Sequence, residues 1–570
     1  MRYLFRFAML SVALIAAGCA HDIPDDGFLY LDQGWSKSDR QWFYTTSQGS
    51  RLIPYDWFLA VEQLDSTDVF RSNANIDRYR YLTNVASSTY NPDGLPVGFV
   101  RDDDPQSGAW VGFTCAACHT AQIDFKGSRM RIDGGPALAD HTAFHGDLIA
   151  ALARTASDDE KFGRFAESVL DDEADDAAAR DNLRRRLREQ TAELQAWQAR
   201  SHSPVAYGNA RVDAFGIILN EVSGTVLGLP ENYQAPDAPV SYPFLWDTPQ
   251  HDRVQWNGIA RNGILGSLGR NVGEVLGVFG QLEVRKSRFG YPSSADTRNL
   301  RDMEERIGKL YSPKWPEVLP EIDDAMAARG QAHYQRYCRG CHVVLTDSER
   351  VDPFRRIEAK MLKVSTLGTD PRMAANFIQR TAKSGRLKGA RTRVIAGRSR
   401  LGEEEPAGAL LAHVVKGVII RRVVDRVSGQ PSGSKESPKI PESKLKLALA
   451  GLAPADEQDI ETVEMSVDSP FLAYKSRPLN GIWATAPYLH NGSVPNLYQL
   501  LLPSDQRVNR FTVGSREFDP LNVGFESGAD EDGFVFDTSL TGNSNAGHEY
   551  GTKKLSDTER WELVEYLKTL

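Results

Sequence analysis

The sequence predicts a mainly α protein of two similar halves, with extensive loops and an irregular N-terminal cap. Three observations predict it. A C-x-x-C-H motif occurs twice, as Cys115-Ala116-Ala117-Cys118-His119 and as Cys338-Arg339-Gly340-Cys341-His342. Before the second motif Gly330, Tyr334 and Cys338 follow at four-residue spacing, and the chain ends on another helical stripe, Leu563, Val564 and Leu567. Residues 27–110 are instead crowded with aromatics and turn formers.

The motifs use four of the five cysteines. C-x-x-C-H is the c-type haem attachment signature: two thiols form thioethers to the porphyrin, and the histidine coordinates iron. A disulfide, a thioredoxin-like redox pair and zinc are the competing readings of C-x-x-C. A redox pair does not explain a histidine following both times, and an oxidising compartment consumes the free thiols that zinc needs. Haem accounts for all six residues. The halves are therefore read as two cytochrome c-like haem domains carrying two covalently bound haem c groups.

The fifth cysteine, Cys19, closes a short basic start and an apolar run from Phe7 to Ala17. That is a secretory signal, too short for a stable anchor, and Gly18-Cys19 resembles a lipobox whose cysteine becomes lipidated. Ordinary signal cleavage nearby is the alternative. The expectation is an exported protein of the periplasm or cell surface, lipid-anchored to a bacterial membrane. No other run is apolar enough to cross a bilayer, so membrane contact is through the anchor alone. A net charge of -9 over 570 residues gives no reason to expect nucleic acid, and 41% hydrophobic residues is a globular composition.

Residues 1–19 are taken as the signal peptide, 20–110 as the cap, 111–320 as the first haem domain and 321–570 as the second. Within the first, the arginine run at 184–188 has leucines at helical spacing and reads as a solvated helix face. Within the second, the helix leading into Cys338 is expected to cross the terminal helix, for which Ser556 is the N-cap and Glu559 completes a capping box. Residues 383–446, with clustered Lys383, Arg386, Lys388, Arg391, Arg393, Arg398 and Arg400, read as a partly mobile insertion.

The iron ligands decide between an electron carrier and an enzyme, because only an open iron binds oxygen or peroxide. His548, just ahead of the terminal helix, is read as the sixth ligand of the second haem, with Met373 and Met465 as alternatives. His490 is read as bonding a propionate or a backbone carbonyl. For the first haem His141 and His145 are candidates. Neither is taken to coordinate, which leaves that iron reactive.

These residues resemble the bacterial di-haem cytochrome c peroxidase superfamily, closest in motifs to the secreted di-haem rubber oxygenase branch. Both C-x-x-C-H motifs match, Pro487-Tyr488-Leu489-His490-Asn491-Gly492-Ser493 is similar to the family's PYxHDGS, and residues 547–570 look like its C-terminal segment. Where the peroxidases carry methionine, the rubber oxygenase carries histidine, as at His548. The LDQGW and PYDWF segments of the cap also look like that branch. Gln255-Trp256-Asn257-Gly258 resembles the family's FWDG, which implies that Trp256 is the inter-haem relay. Arg270 to Val275 resembles the stretch bearing the distal glutamate, implying that Glu274 is the acid-base residue over the open haem. The resemblance also implies a calcium ion near Thr485 and Pro487. The glutamine and proline of the peroxidase pocket and the distal phenylalanine of the rubber oxygenase have no counterpart identified here.

The expected function is a haem-dependent oxidoreductase, peroxidase or oxygenase. The first haem activates peroxide or dioxygen, the second supplies electrons, and a small redox protein is a candidate donor. Peroxide, dioxygen or an apolar organic molecule is the expected substrate. The alternative is a tethered electron-transfer cytochrome without catalysis.

Overall fold

The computed structural model describes residues 23–570 apart from 88, 263–265, 286, 288, 393–399, 431–435, 437, 439, 442, 445–471 and 529–532. The signal segment with Cys19, and Met465, Arg393 and Arg398, lie outside the described residues. Helix makes up 41% and strand 15% of the fold. The mainly α expectation is therefore corrected to a mixed architecture, in which the sheets among the described residues have two or three strands.

Strands matter most around the first motif. β1 (Phe99–Asp104) pairs antiparallel with β2 (Gly108–Phe113), and Ile53–Pro54 lies on the other side of β2. After the motif, β3 (Thr120–Phe125) and β4 (Ser128–Asp133) form a second hairpin. Lys126 and Gly127 turn it with φ of 47° and 84°, the positive pair that matches strand twist. Leu29–Tyr30 adds to β4 in parallel. The first motif thus sits between two hairpins, with no helix leading into it. The cap aromatics pack together with Phe144 of the following domain: Tyr81 meets Phe99 edge-on at 5.0 Å and Phe144 at 5.2 Å.

α1 (His141–Ser157) starts at Asp140, whose carboxylate accepts from the Ala143 amide. It packs on α2 (Ala177–Arg200), which buries Leu183, Leu187 and Leu194. The arginines of α2 lie on its other side, with Arg184 paired to Asp159 at 2.8 Å and Arg185 to Glu189 at 2.9 Å. α3 (Gly266–Gly277) carries Glu274 on a helix that buries Val272, Val275 and Leu276.

In the second half α4 (Asp324–Tyr337) is capped by Asp323 and delivers Cys338 at its C-cap. It crosses α6 (Asp557–Lys568), which has the expected Ser556 and Glu559 capping box. A Cβ on Gly330 would stand 1.9 Å from the Glu562 carbonyl oxygen, so only glycine permits this approach. Tyr334 and Tyr566 fill the crossing at 5.2 Å. Gly330→Ala should cost about 1–3 kcal/mol by overpacking, read as a lower denaturant midpoint. A midpoint equal to that of the wild type would mean that the helices separate at no cost.

The reading of 383–446 as a loose insertion is corrected for much of its length. α5 (Ala407–Ser428) is a 22-residue helix with Leu410, Val414, Val418 and Val424 buried. Its Val415 lies 3.8 Å and 3.7 Å from where Cβ atoms on Gly269 and Gly273 would stand. The insertion therefore buttresses the helix that bears Glu274. Among the described residues no helix is long and apolar enough to cross a membrane.

Candidate haem sites

Both motifs fold the same way. The His119 amide donates to the Cys115 carbonyl at 3.0 Å and the His342 amide to the Cys338 carbonyl at 3.0 Å; Cys118 and Cys341 do likewise at 3.2 and 3.0 Å. This single turn closes each motif into one hydrogen-bonded loop that carries both cysteines and the histidine. All four thiols are free, which speaks against a disulfide within either pair. Zinc needs four ligands, and among the described residues no group of three or more His, Cys, Asp and Glu side chains gathers as a metal site.

Each histidine is oriented by a backbone carbonyl. Nδ1 of His119 donates to the Pro243 oxygen at 2.7 Å, and Nδ1 of His342 to the Arg477 oxygen at 2.9 Å. A carbonyl can only accept, so the proton sits on Nδ1 and the lone pair on Nε2 is left for a metal. Burial pushes His119 down to about 4 and His342 in the same direction, keeping both imidazoles neutral.

In the second site another imidazole faces the motif histidine. The His548 ring centre lies 6.1 Å from that of His342. A metal–imidazole bond is about 2 Å and the ring centre is roughly 1 Å farther out, so one ion between two imidazoles sets the centres about 6 Å apart. His548 is held there by its backbone: its amide donates to the Leu367 oxygen at 2.9 Å, with φ of 58°. A Cβ on Gly547 would lie 2.3 Å from the Gly368 carbonyl carbon, so the turn sits flush on 367–369. Met373, the described alternative, is buried in a neighbouring cluster with Val364 and Tyr474. An apolar cavity of about 220 Å³ runs from Cys338, Cys341, His342 and His548 to Trp256 and His490.

The first site is built differently. Among the described residues no second imidazole packs on His119; its ring neighbour is Tyr242, at 6.4 Å. Burial pushes the Cys115 and Cys118 thiols up, and the charge of the nearby Glu274 adds to this. Burial raises the Glu274 carboxyl above the usual range, partly offset by Arg270. Its Oε1 accepts from Gln255 Nε2 at 3.3 Å, so the two motifs read from sequence meet here. Arg270 is committed elsewhere, with Nη2 donating to both Glu304 oxygens at 2.8 and 2.6 Å.

Trp256 lines the cavity of the second site. Its Nε1 donates to the Ser241 oxygen at 3.0 Å, and the Ser241 amide donates to the His490 oxygen at 2.9 Å. Two residues beyond Ser241 is Pro243, the partner of His119. His490 stacks on Tyr474 at 4.1 Å. Thr485 and Pro487 line the same cavity, and the Thr485 hydroxyl donates to the Ile482 oxygen at 2.8 Å. His141 and His145 pack on each other at 4.1 Å and on Trp197 at 6.2 and 5.2 Å, not on His119.

Those two histidines give a pH prediction. Burial holds His141 at about 4 against 6.5 ordinarily. The unfolded chain thus binds the proton first, and stability present above pH 6.5 is lost as pH falls toward 4. His141 alone should remove roughly 2 kcal/mol between pH 7 and 5. Denaturant titrations at both pH values check this, and His141→Gln should reduce the difference by about that amount.

Sequence reasoning missed Pro243, Phe244 and Arg477. A carbonyl that orients a histidine has no residue-type signature, so only a fold could reveal the first and last.

Two C-x-x-C-H turns with carbonyl-oriented histidines point to a relation with c-type cytochromes. A family described as RoxA-like, cytochrome c-like, matches residues 473–512, the segment holding Arg477, Thr485 and His490. The uncharacterised Sinorhizobium fredii protein y4iJ is 32% identical over 98% of this chain and 97% of its own length. This chain belongs to the y4iJ family. A second uncharacterised protein of that organism, y4iM, is 25% identical over 57% of this chain and 63% of its own length.

Proposed function

We propose that this chain is an exported di-haem c-type oxidoreductase of the peroxidase and rubber-oxygenase kind, catalytic at the first motif and electron-storing at the second. The carrying observation is the asymmetry of the sites: His548 faces His342 at 6.1 Å, while His119 has no such partner among the described residues. Cys115, Cys118 and His119 would hold one haem, and Cys338, Cys341, His342 and His548 the other. A haem iron with a free position supplies binding and reduction of peroxide or dioxygen.

The protein's part is arrangement and proton handling. The Pro243 and Arg477 carbonyls fix the proximal rings. Glu274, kept protonated to higher pH by burial, holds a proton at its carboxyl, and Gln255 orients it. General acid-base assistance of this kind contributes about 10²–10⁴-fold. Trp256, packed between the proximal wall of the first site and the cavity of the second, is suited to relay electrons. An apolar organic substrate, a small redox donor and a lipid anchor on Cys19 belong to the same proposal.

An alkaline pyridine spectrum and an intact mass test it. The expected result is two haem c per chain, falling to one in the Cys115→Ser/Cys118→Ser double variant. One or none in the unaltered protein would contradict the di-haem reading. Oxygen and peroxide consumption with polyisoprene as a probe then tests the activity.

A further inference from the structure

The proximal walls of the two sites are one hydrogen-bonded unit. Residues 243–246 form the first wall and 477–480 the second. Arg477 Nη2 donates to the Phe244 oxygen at 2.7 Å, and the Trp246 Nε1 donates to the Asn480 oxygen at 3.2 Å. Asn480 in turn exchanges bonds of 2.8 and 3.0 Å with Leu345, just beyond His342.

Arg477 reaches both histidines. Its own carbonyl accepts from His342, and its side chain is tied to Phe244, next to the Pro243 that accepts from His119. The guanidinium sits 3.3 Å over the Phe244 ring, which itself stacks on Trp246 at 4.5 Å. Arg477 is 7% exposed. The nearby carboxylate, Asp247, is already engaged by Arg355. Asp247 acts on Arg477 only through space; among the described residues no carboxylate pairs with it directly, and its burial leaves the cation little screened.

We propose that Arg477 is the positioning residue shared by the two centres, a buried cation clamped to both proximal walls that raises the reduction potential of each. The physical ground is electrostatic. A ferric centre carries one more positive charge than a ferrous one, so a nearby buried cation favours the reduced form. The clamp keeps that cation at a fixed distance from both rings, and oriented proximal bonds tune the metal they serve.

The proposal rests on the di-haem reading, which haem counting on the unaltered protein tests separately. Its own test is spectroelectrochemical titration of full-length loaded protein, resolving two midpoints. Arg477→Gln should lower the reduction equilibrium constant of both centres at least tenfold, about 59 mV for a one-electron couple. Arg477→Lys, which keeps the charge, should return both to within threefold of the wild type. A shift at one centre alone, at neither, or an equal shift in the lysine variant would overturn the proposal. If the glutamine variant fails to hold two haems, the lysine variant decides: both midpoints within threefold support the proposal, and a tenfold displacement of either refutes it.

Discussion

Glu274→Gln should lower turnover with peroxide or dioxygen by about 10²–10⁴-fold while both haems stay bound. The amide has nearly the same shape as the carboxyl, so α3 keeps its packing against α5, and Gln255 keeps a partner. What disappears is a group able to give up and regain a proton in a buried place. Because burial raises the carboxyl above its ordinary range, the wild-type rate should also depend on a group titrating above pH 4.5, and the glutamine variant should lose that dependence. Unchanged turnover with a retained pH profile would remove Glu274 from the chemistry.

His548→Gly should turn the second site from a closed into an open one. Glycine is the informative replacement because His548 has φ of 58°. There a residue with a Cβ is strained by about 1–2 kcal/mol, and glycine is not. The turn against Leu367 should therefore survive and the imidazole alone be lost. Added imidazole should restore the wild-type spectrum, filling the place that the side chain left. A variant whose second centre stays low-spin without added ligand would mean that another residue faces His342.

The parts of the site legible in the sequence were those written in short patterns. The two motifs announced themselves, and the crossing of α4 with α6 followed from Gly330, Tyr334 and a capping box. Trp256 and Glu274 could be singled out by resemblance, but only the fold brings Gln255 onto Glu274. The setting of the first motif was not foreseen. Ala109 to Phe113 and Thr120 to Phe125 are rich in apolar and β-branched residues that suit strands, but the aromatics and turn formers around them read only as an irregular cap.

The insertion was misread for a different reason. Arginines and a Ser-Gly-Ser stretch flank it, but Ala407 to Val424 is apolar on several faces, which is the mark of a helix buried on most sides. Pro243 and Arg477 were invisible in principle, since they act on the histidines through peptide oxygens.

Low-temperature EPR of the purified ferric protein, with and without cyanide, distinguishes an open first site from a closed one. The expected result is one low-spin signal that ligand does not move, from the site of His342 and His548, and one high-spin signal that converts when cyanide is added, from the site of His119. Two low-spin signals, unmoved by ligand before and after half-reduction, would contradict it and leave an electron-transfer cytochrome.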